Sequence, residues 1–125
     1  MLFRSSPESG DLEVVNAGHN PGFLRPPYGD IVQFGATGTP LGLLPGMRYE
    51  IQKSEFAPGS RLVFYTDGLT EVFRGEEEFG ADRLLEVFCA CPAHRADDIL
   101  HALWTAIGEF APGEKQGDDM TALAL

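Results

Sequence analysis

At 125 residues, with 43% hydrophobic and 22% charged content, the chain is long enough for one globular domain, and no apolar run approaches the roughly 20 residues a membrane span needs. Nine basic against 19 acidic residues leave a formal net charge of −10, which argues against nucleic acid or an anionic membrane as partner because like charges repel. The first residues, Met1-Leu2-Phe3-Arg4-Ser5-Ser6-Pro7, lack a basic region followed by a long apolar stretch, so no signal peptide is expected and a cytoplasmic location is the default.

Residues 1–4 read as a short strand, 5–10 as a turn rich in Ser, Pro and Gly, and 12–17 as a second strand, together a hairpin with a truncated first arm. Asn20-Pro21-Gly22 turns the chain into 23–25, and Pro26-Pro27-Tyr28-Gly29-Asp30 turns it again before 31–34, so the first third reads as a meander. Residues 35–46 hold too many glycines and prolines for a regular element, yet retain Leu41, Leu43 and Leu44. They are expected to form an ordered loop packed on the core. Their glycine spacing fits neither a dinucleotide fingerprint nor a P-loop.

Residues 48–56 alternate as a half-exposed strand with Tyr49 and Ile51 on one face, and Leu62-Val63-Phe64-Tyr65 is continuously apolar, as a strand covered on both faces would be. Glu76-Glu77-Glu78 is expected to be a solvated acidic turn. Ala81, Leu84, Leu85 and Phe88 share one helical stripe that Pro92 ends. Ile99, Leu100, Leu103, Trp104, Ile107 and Phe110 form a second stripe, with Asp97 and Asp98 near its positive N-terminus. Residues 120–125 read as a last strand buried on both faces. Strands first and helices late predict an α+β fold in which the helices cover one face of an antiparallel sheet.

Two motifs carry the chemistry. Tyr65-Thr66-Asp67-Gly68 and Gly117-Asp118-Asp119-Met120-Thr121 each place a carboxylate at the mouth of an apolar strand-like run, where water and a hard cation can enter. Taken singly, Asp67 also suits a plain Asp-Gly turn and Asp118 an N-cap or loop position. As a pair they suit Mg²⁺ or Mn²⁺, which would activate a water molecule without any side-chain nucleophile. That agrees with the lack of a G-x-S-x-G elbow. His19, in Asn16-Ala17-Gly18-His19-Asn20-Pro21, has no evident nucleophile to serve and reads as a core or turn residue. Cys89 and Cys91 lie two apart, a spacing that suits neither a disulfide nor, with His94 and His101, a zinc site.

Asn16-Ala17-Gly18-His19-Asn20-Pro21, Gly38-Thr39-Pro40-Leu41-Gly42, Tyr65-Thr66-Asp67-Gly68-Leu69-Thr70-Glu71, Glu78-Phe79-Gly80 and Asp118-Asp119-Met120-Thr121 follow one another with the order and spacing of a known family. Nearly the whole chain resembles the stage II sporulation protein E branch of the metal-dependent protein serine/threonine phosphatases (PPM, protein phosphatase 2C-like). The resemblance implies an antiparallel β-sandwich flanked by helices, with two metals at one end. It implies Asp67 and Asp118 as metal ligands, Asp119 as a residue that hydrogen-bonds around the site without binding metal, and Mn²⁺ or Mg²⁺ as cofactor. The implied substrate is a phosphorylated regulatory protein, for example an anti-anti-sigma factor.

The family's earlier Asp-Gly metal motif is not among these residues. Residues 1–125 are therefore expected to be the C-terminal part of a single phosphatase domain, inactive alone, with self-association through exposed sheet edge as a further expectation. The alternatives are a catalytically inactive phosphatase-like binding module and a truncated gene product.

Overall fold

A computed structural model describes residues 1–92, 94–113 and 117–125, which form two compact units, Met1–Leu62 and Val63–Leu125. In the first unit, β1 (Leu2–Ser6), β2 (Asp11–Val15) and β5 (Gln52–Glu55) make an antiparallel sheet with β2 in the middle. The expected hairpin is present, but its first arm is not truncated: all five residues of β1 pair with β2, Leu2 opposite Val15 and Ser6 opposite Asp11. Gly10 closes it at φ +73°, a conformation that suits glycine, and donates its N–H to the Ser6 carbonyl at 2.8 Å. Alternation along β2 turns Leu12 and Val14 inward, where both are fully buried. β3 (Gly22–Arg25) and β4 (Val32–Phe34) form an antiparallel pair that buries Phe23, Leu24 and Phe34.

Two expectations for this unit are corrected. The strand read over 48–56 shrinks to β5, because the residues before it bond to a loop instead of a ladder. Tyr49 Oη donates to the Thr39 carbonyl at 2.9 Å, and the Glu50 N–H to Thr37 Oγ1 at 3.2 Å. The loop over 35–46 is anchored but does not pack its leucines. Pro40 lies so close to Gly18 that a Cβ on Gly18 would stand 2.5 Å from its ring, yet beyond this anchor Leu41, Leu43 and Leu44 are 70%, 65% and 53% exposed. A local turn, Leu43 N–H to the Pro40 carbonyl at 3.2 Å, carries them away from the core.

The second unit opens on β6 (Arg61–Tyr65), whose last four residues are buried as expected of a covered strand; its first two residues still belong to the first unit. There follow α1 (Asp67–Thr70), β7 (Phe73–Arg74), β8 (Glu77–Glu78), α2 (Gly80–Ala90), α3 (Ala96–Phe110) and β9 (Ala122–Ala124). β9 pairs antiparallel with β6, Tyr65 facing Ala122 and Val63 facing Ala124. α2 buries Leu84 and Phe88, and α3 buries Ile99, Leu103, Ile107 and Phe110, whereas Trp104, read into the same stripe, stays partly in water. β9 is buried on one face only: Ala124 is covered while Leu123 and Leu125 are exposed, so its uniformly apolar run does not mark a strand enclosed on both sides.

The acidic run at 76–78 is likewise more than a solvated turn. Glu77 sits in β8 and accepts from Arg74 at 2.5 Å and from Arg83 of α2, and both guanidinium groups stack on the Phe110 ring, 4.6 and 4.8 Å from its centroid. Arg83 also donates to the Glu78 carbonyl at 2.6 Å, so the two arginines tie the β7–β8 hairpin to both helices. The architecture is α+β, with antiparallel sheets and helices late in the chain. No described helix is long and apolar enough to cross a membrane.

Candidate metal centre

β6 delivers Asp67 to the surface. Tyr65 is buried, and burial pushes its phenol up to about 12. Thr66 is still extended at φ −91°, ψ 159°, and the chain then coils into the single turn of α1. That turn departs from a bare Asp-Gly bend. The Asp67 carbonyl accepts from the Glu71 N–H at 2.7 Å and from Thr70 Oγ1 at 3.1 Å, which sinks Gly68, Leu69 and Thr70 and leaves the Asp67 carboxylate exposed. Asp67 makes no ion pair among the described residues.

Thr66 stitches this turn to the second motif. Its N–H donates to the Thr121 carbonyl at 2.9 Å, its hydroxyl accepts from the Thr121 N–H at 3.0 Å, and the same hydroxyl donates to the Asp119 carbonyl at 3.2 Å. Gly68 completes the contact. A Cβ there would overlap the Asp119 carbonyl, so only glycine lets the two segments meet. Asp67 and Asp118 thus each lie one residue before the close approach of Gly68 to the Asp119 carbonyl, between segments 51 positions apart. Asp118 accepts the Asp119 N–H on Oδ1 at 2.7 Å, which fixes one carboxylate oxygen on its own loop. Asp119, exposed like Asp118, enters the stitch through its backbone.

The donor set is oxygen only and anionic, which suits Mg²⁺ or Mn²⁺ over softer metals. Among the described residues no group of three or more His, Cys, Asp or Glu is gathered into a metal-holding cluster, so the two aspartates fit part of such a site. Thr66 and Gly68 escaped the residue-by-residue reading. The Thr in each motif, 55 positions apart, was the available signal.

The other singled-out residues have bonding of their own. Asn16, fully buried, donates to the carbonyls of His19 at 3.0 Å, Asn20 at 3.2 Å and Phe34 at 3.1 Å, and accepts the His19 N–H at 2.8 Å. His19 is therefore a turn residue clamped by Asn16. Cys89 is exposed, and Cys91 Sγ donates to the Asp98 carbonyl at 3.6 Å.

The sequence model of the family described as Stage II sporulation protein E (SpoIIE) matches residues 1–125. Protein IcfG of Synechocystis sp. is 31% identical over 118 residues, covering 94% of this chain and 18% of that protein. The PP2C phosphatase domain of Bacillus subtilis SpoIIE, solved with a fragment of its regulatory domain, superposes with a TM-score of 0.81 at 16% identity, over 98% of this chain and 35% of that one. The manganese-presoaked phosphatase domain of the same protein gives a TM-score of 0.74 at 16% identity, over 99% of this chain and 54% of that one. The chain thus spans about half or less of the length of each of these relatives.

Proposed function

The chain belongs to the stage II sporulation protein E family, and from that premise we propose that it contributes Asp67 and Asp118 to a two-metal centre that hydrolyses phosphoserine or phosphothreonine on a cytoplasmic regulatory protein, such as an anti-anti-sigma factor. The observation that carries this reading is the Thr66–Gly68–Asp119 contact, which brings the two carboxylate loops together. Residues 1–125 are read as the C-terminal part of one phosphatase domain, the remaining ligands coming from chain outside this segment. The partial coverage of the solved phosphatase domains supports that division. Manganese or magnesium is the proposed metal, and the manganese-soaked Bacillus subtilis domain supports manganese.

When bound, the divalent cation lowers the pKa of a coordinated water and neutralises phosphoryl oxygens. The chain's own residues support this reading by bringing the two carboxylate-bearing loops into contact. Thr66 and Gly68 hold the two loops against each other, and the Asp119 N–H binds one Asp118 carboxylate oxygen on its own loop. Asp119 is proposed to hydrogen-bond around the site without ligating metal.

Titration of the 125-residue chain with Mn²⁺ by calorimetry is expected to show saturable uptake, weakened at least about tenfold in Asp67→Ala and in Asp118→Ala. Equal uptake by all three proteins would sink the ligand assignment. The same chain is expected to show almost no turnover of a phosphoserine peptide, and robust turnover lost in Asp67→Ala would refute the need for further ligands. That no cluster of three metal-ligating side chains is gathered among the described residues favours, as a second reading, a binding module without catalysis. Partner binding that persists in chelator, with no Mn²⁺ uptake, would select it.

A further inference from the structure

β6 and β9 run antiparallel with Phe64 facing Leu123 and Tyr65 facing Ala122, so the next pair along the ladder is Thr66 with Thr121. The Thr66 N–H reaches the Thr121 carbonyl at 2.9 Å, which marks a pair that in a regular ladder exchanges two backbone bonds. Here backbone makes only one of them. The Thr121 N–H goes instead to Thr66 Oγ1 at 3.0 Å, and the Thr66 carbonyl accepts the Leu69 N–H at 3.1 Å, closing the turn that carries Asp67. A carbonyl cannot point across the sheet to β9 and along α1 at once, so the hydroxyl stands in for it in the ladder. Thr66 is also the N-cap of α1, where a threonine hydroxyl ordinarily turns back to accept an N–H of the first turn. It makes no such bond. Its one proton goes to the Asp119 carbonyl at 3.2 Å, the nearer of two, while the Thr121 carbonyl at 3.4 Å already accepts the Thr66 N–H.

We propose that Thr66 is a positioning residue for the metal centre: its hydroxyl replaces its own carbonyl in the β6–β9 ladder, so the chain can leave the sheet at Asp67 yet stay bonded to the segment that carries Asp118. This role rests on the two-metal reading of the site. Without the hydroxyl, the N–H groups of Thr121 and Leu69 compete for one carbonyl. If Thr121 wins, β6 lengthens by a residue and the turn at Asp67 loses its Leu69 bond; if Leu69 wins, the segment after Asp118 loses its hold on β6. Either outcome lets the two carboxylate loops part. Valine keeps the shape of threonine without the oxygen, and serine keeps the oxygen, so the two together separate hydrogen bonding from packing.

Amide hydrogen exchange read by NMR, and Mn²⁺ calorimetry, on the 125-residue chain and on Thr66→Val and Thr66→Ser test it. In Thr66→Val the Leu69 or the Thr121 amide should exchange about tenfold faster or more, while the Leu103 amide in α3 keeps its rate. Mn²⁺ uptake should weaken about tenfold or more in the same variant. Thr66→Ser should restore both. Asp67→Ala, measured alongside, separates the positioning role from the reading beneath it. Weakened uptake in Asp67→Ala with parental uptake in Thr66→Val overturns the role of Thr66 and leaves the metal ligands standing. Unchanged exchange at both Leu69 and Thr121 in Thr66→Val overturns that role too, and so does faster exchange at every amide, which would assign the hydroxyl to general stability. Parental uptake in Asp67→Ala, or no uptake by the parent chain, overturns the metal reading and the positioning role with it.

Discussion

Gly68 bears more of the site's geometry than either aspartate. Its absent side chain allows the Asp119 carbonyl to approach, and a methyl group in that position has backbone, not a movable side chain, to push against. Gly68→Ala is therefore expected to destabilise the chain by about 1–3 kcal/mol, the usual cost of forced overpacking, and to weaken Mn²⁺ uptake as Asp67 and Asp118 move apart. Urea unfolding and calorimetry on one preparation check both, and a variant with unchanged stability would mean that the two loops do not depend on close approach. The two motifs that carry Asp67 and Asp118 stood out in the sequence as a pair, each setting a carboxylate at the end of an apolar run, although either alone also suits a plain turn or cap. Thr66 did not, because its partners Asp119 and Thr121 lie 53 and 55 positions away and no local pattern signals a hydroxyl shared between two segments.

Elements were readable where periodicity and burial agree, and misread where a local bond replaced a ladder. The stripes of α2 and α3 and the enclosed run of β6 came through because burial on one face or on both leaves its own spacing. β5 lost its first residues to side-chain bonds with Thr37 and Thr39, and the β7–β8 hairpin was hidden because its stability comes from Arg74 and Arg83 gathered on Glu77 and Phe110, not from the two-residue strands. At the start of α3, Asp98 accepts the N–H groups of Arg95 at 2.8 Å and His94 at 2.9 Å, which hold its carboxyl below the ordinary value of 3.8. A carboxyl depressed on folding stabilises fully above its unfolded value, and loses that contribution as pH falls through the folded one. Asp98→Ala should thus lower the melting temperature at pH 7, with the gap to the parent chain closing below about pH 4 as Asp98 protonates. A gap unchanged by acid would show that the carboxylate charge has no part in holding the helix start.

Across the whole molecule, apolar content alone did not tell core from surface. Each unit has its own buried set: Leu12, Val14, Phe23, Leu24 and Phe34 in the first, and Val63, Phe64, Tyr65, Leu69, Leu84, Phe88, Ile99 and Leu103 in the second. Leu41, Leu43 and Leu44 are as hydrophobic as any of these, but glycine and proline on either side hold them in turns that bring no partner surface to them. An exposed leucine contributes little to stability because the unfolded chain exposes it too, whereas a core leucine removed leaves both a lost transfer term and a cavity. The triple replacement Leu41→Ser, Leu43→Ser, Leu44→Ser should accordingly change the unfolding free energy by no more than about 1.5 kcal/mol, at about 0.5 kcal/mol per surface site. The single change Leu12→Ala should cost about 2–5 kcal/mol. Both are measured by urea unfolding followed by circular dichroism. If the triple variant proved the less stable of the two, the loop over residues 35–46 would be packed on the core after all, and the exposure of its leucines would be wrong.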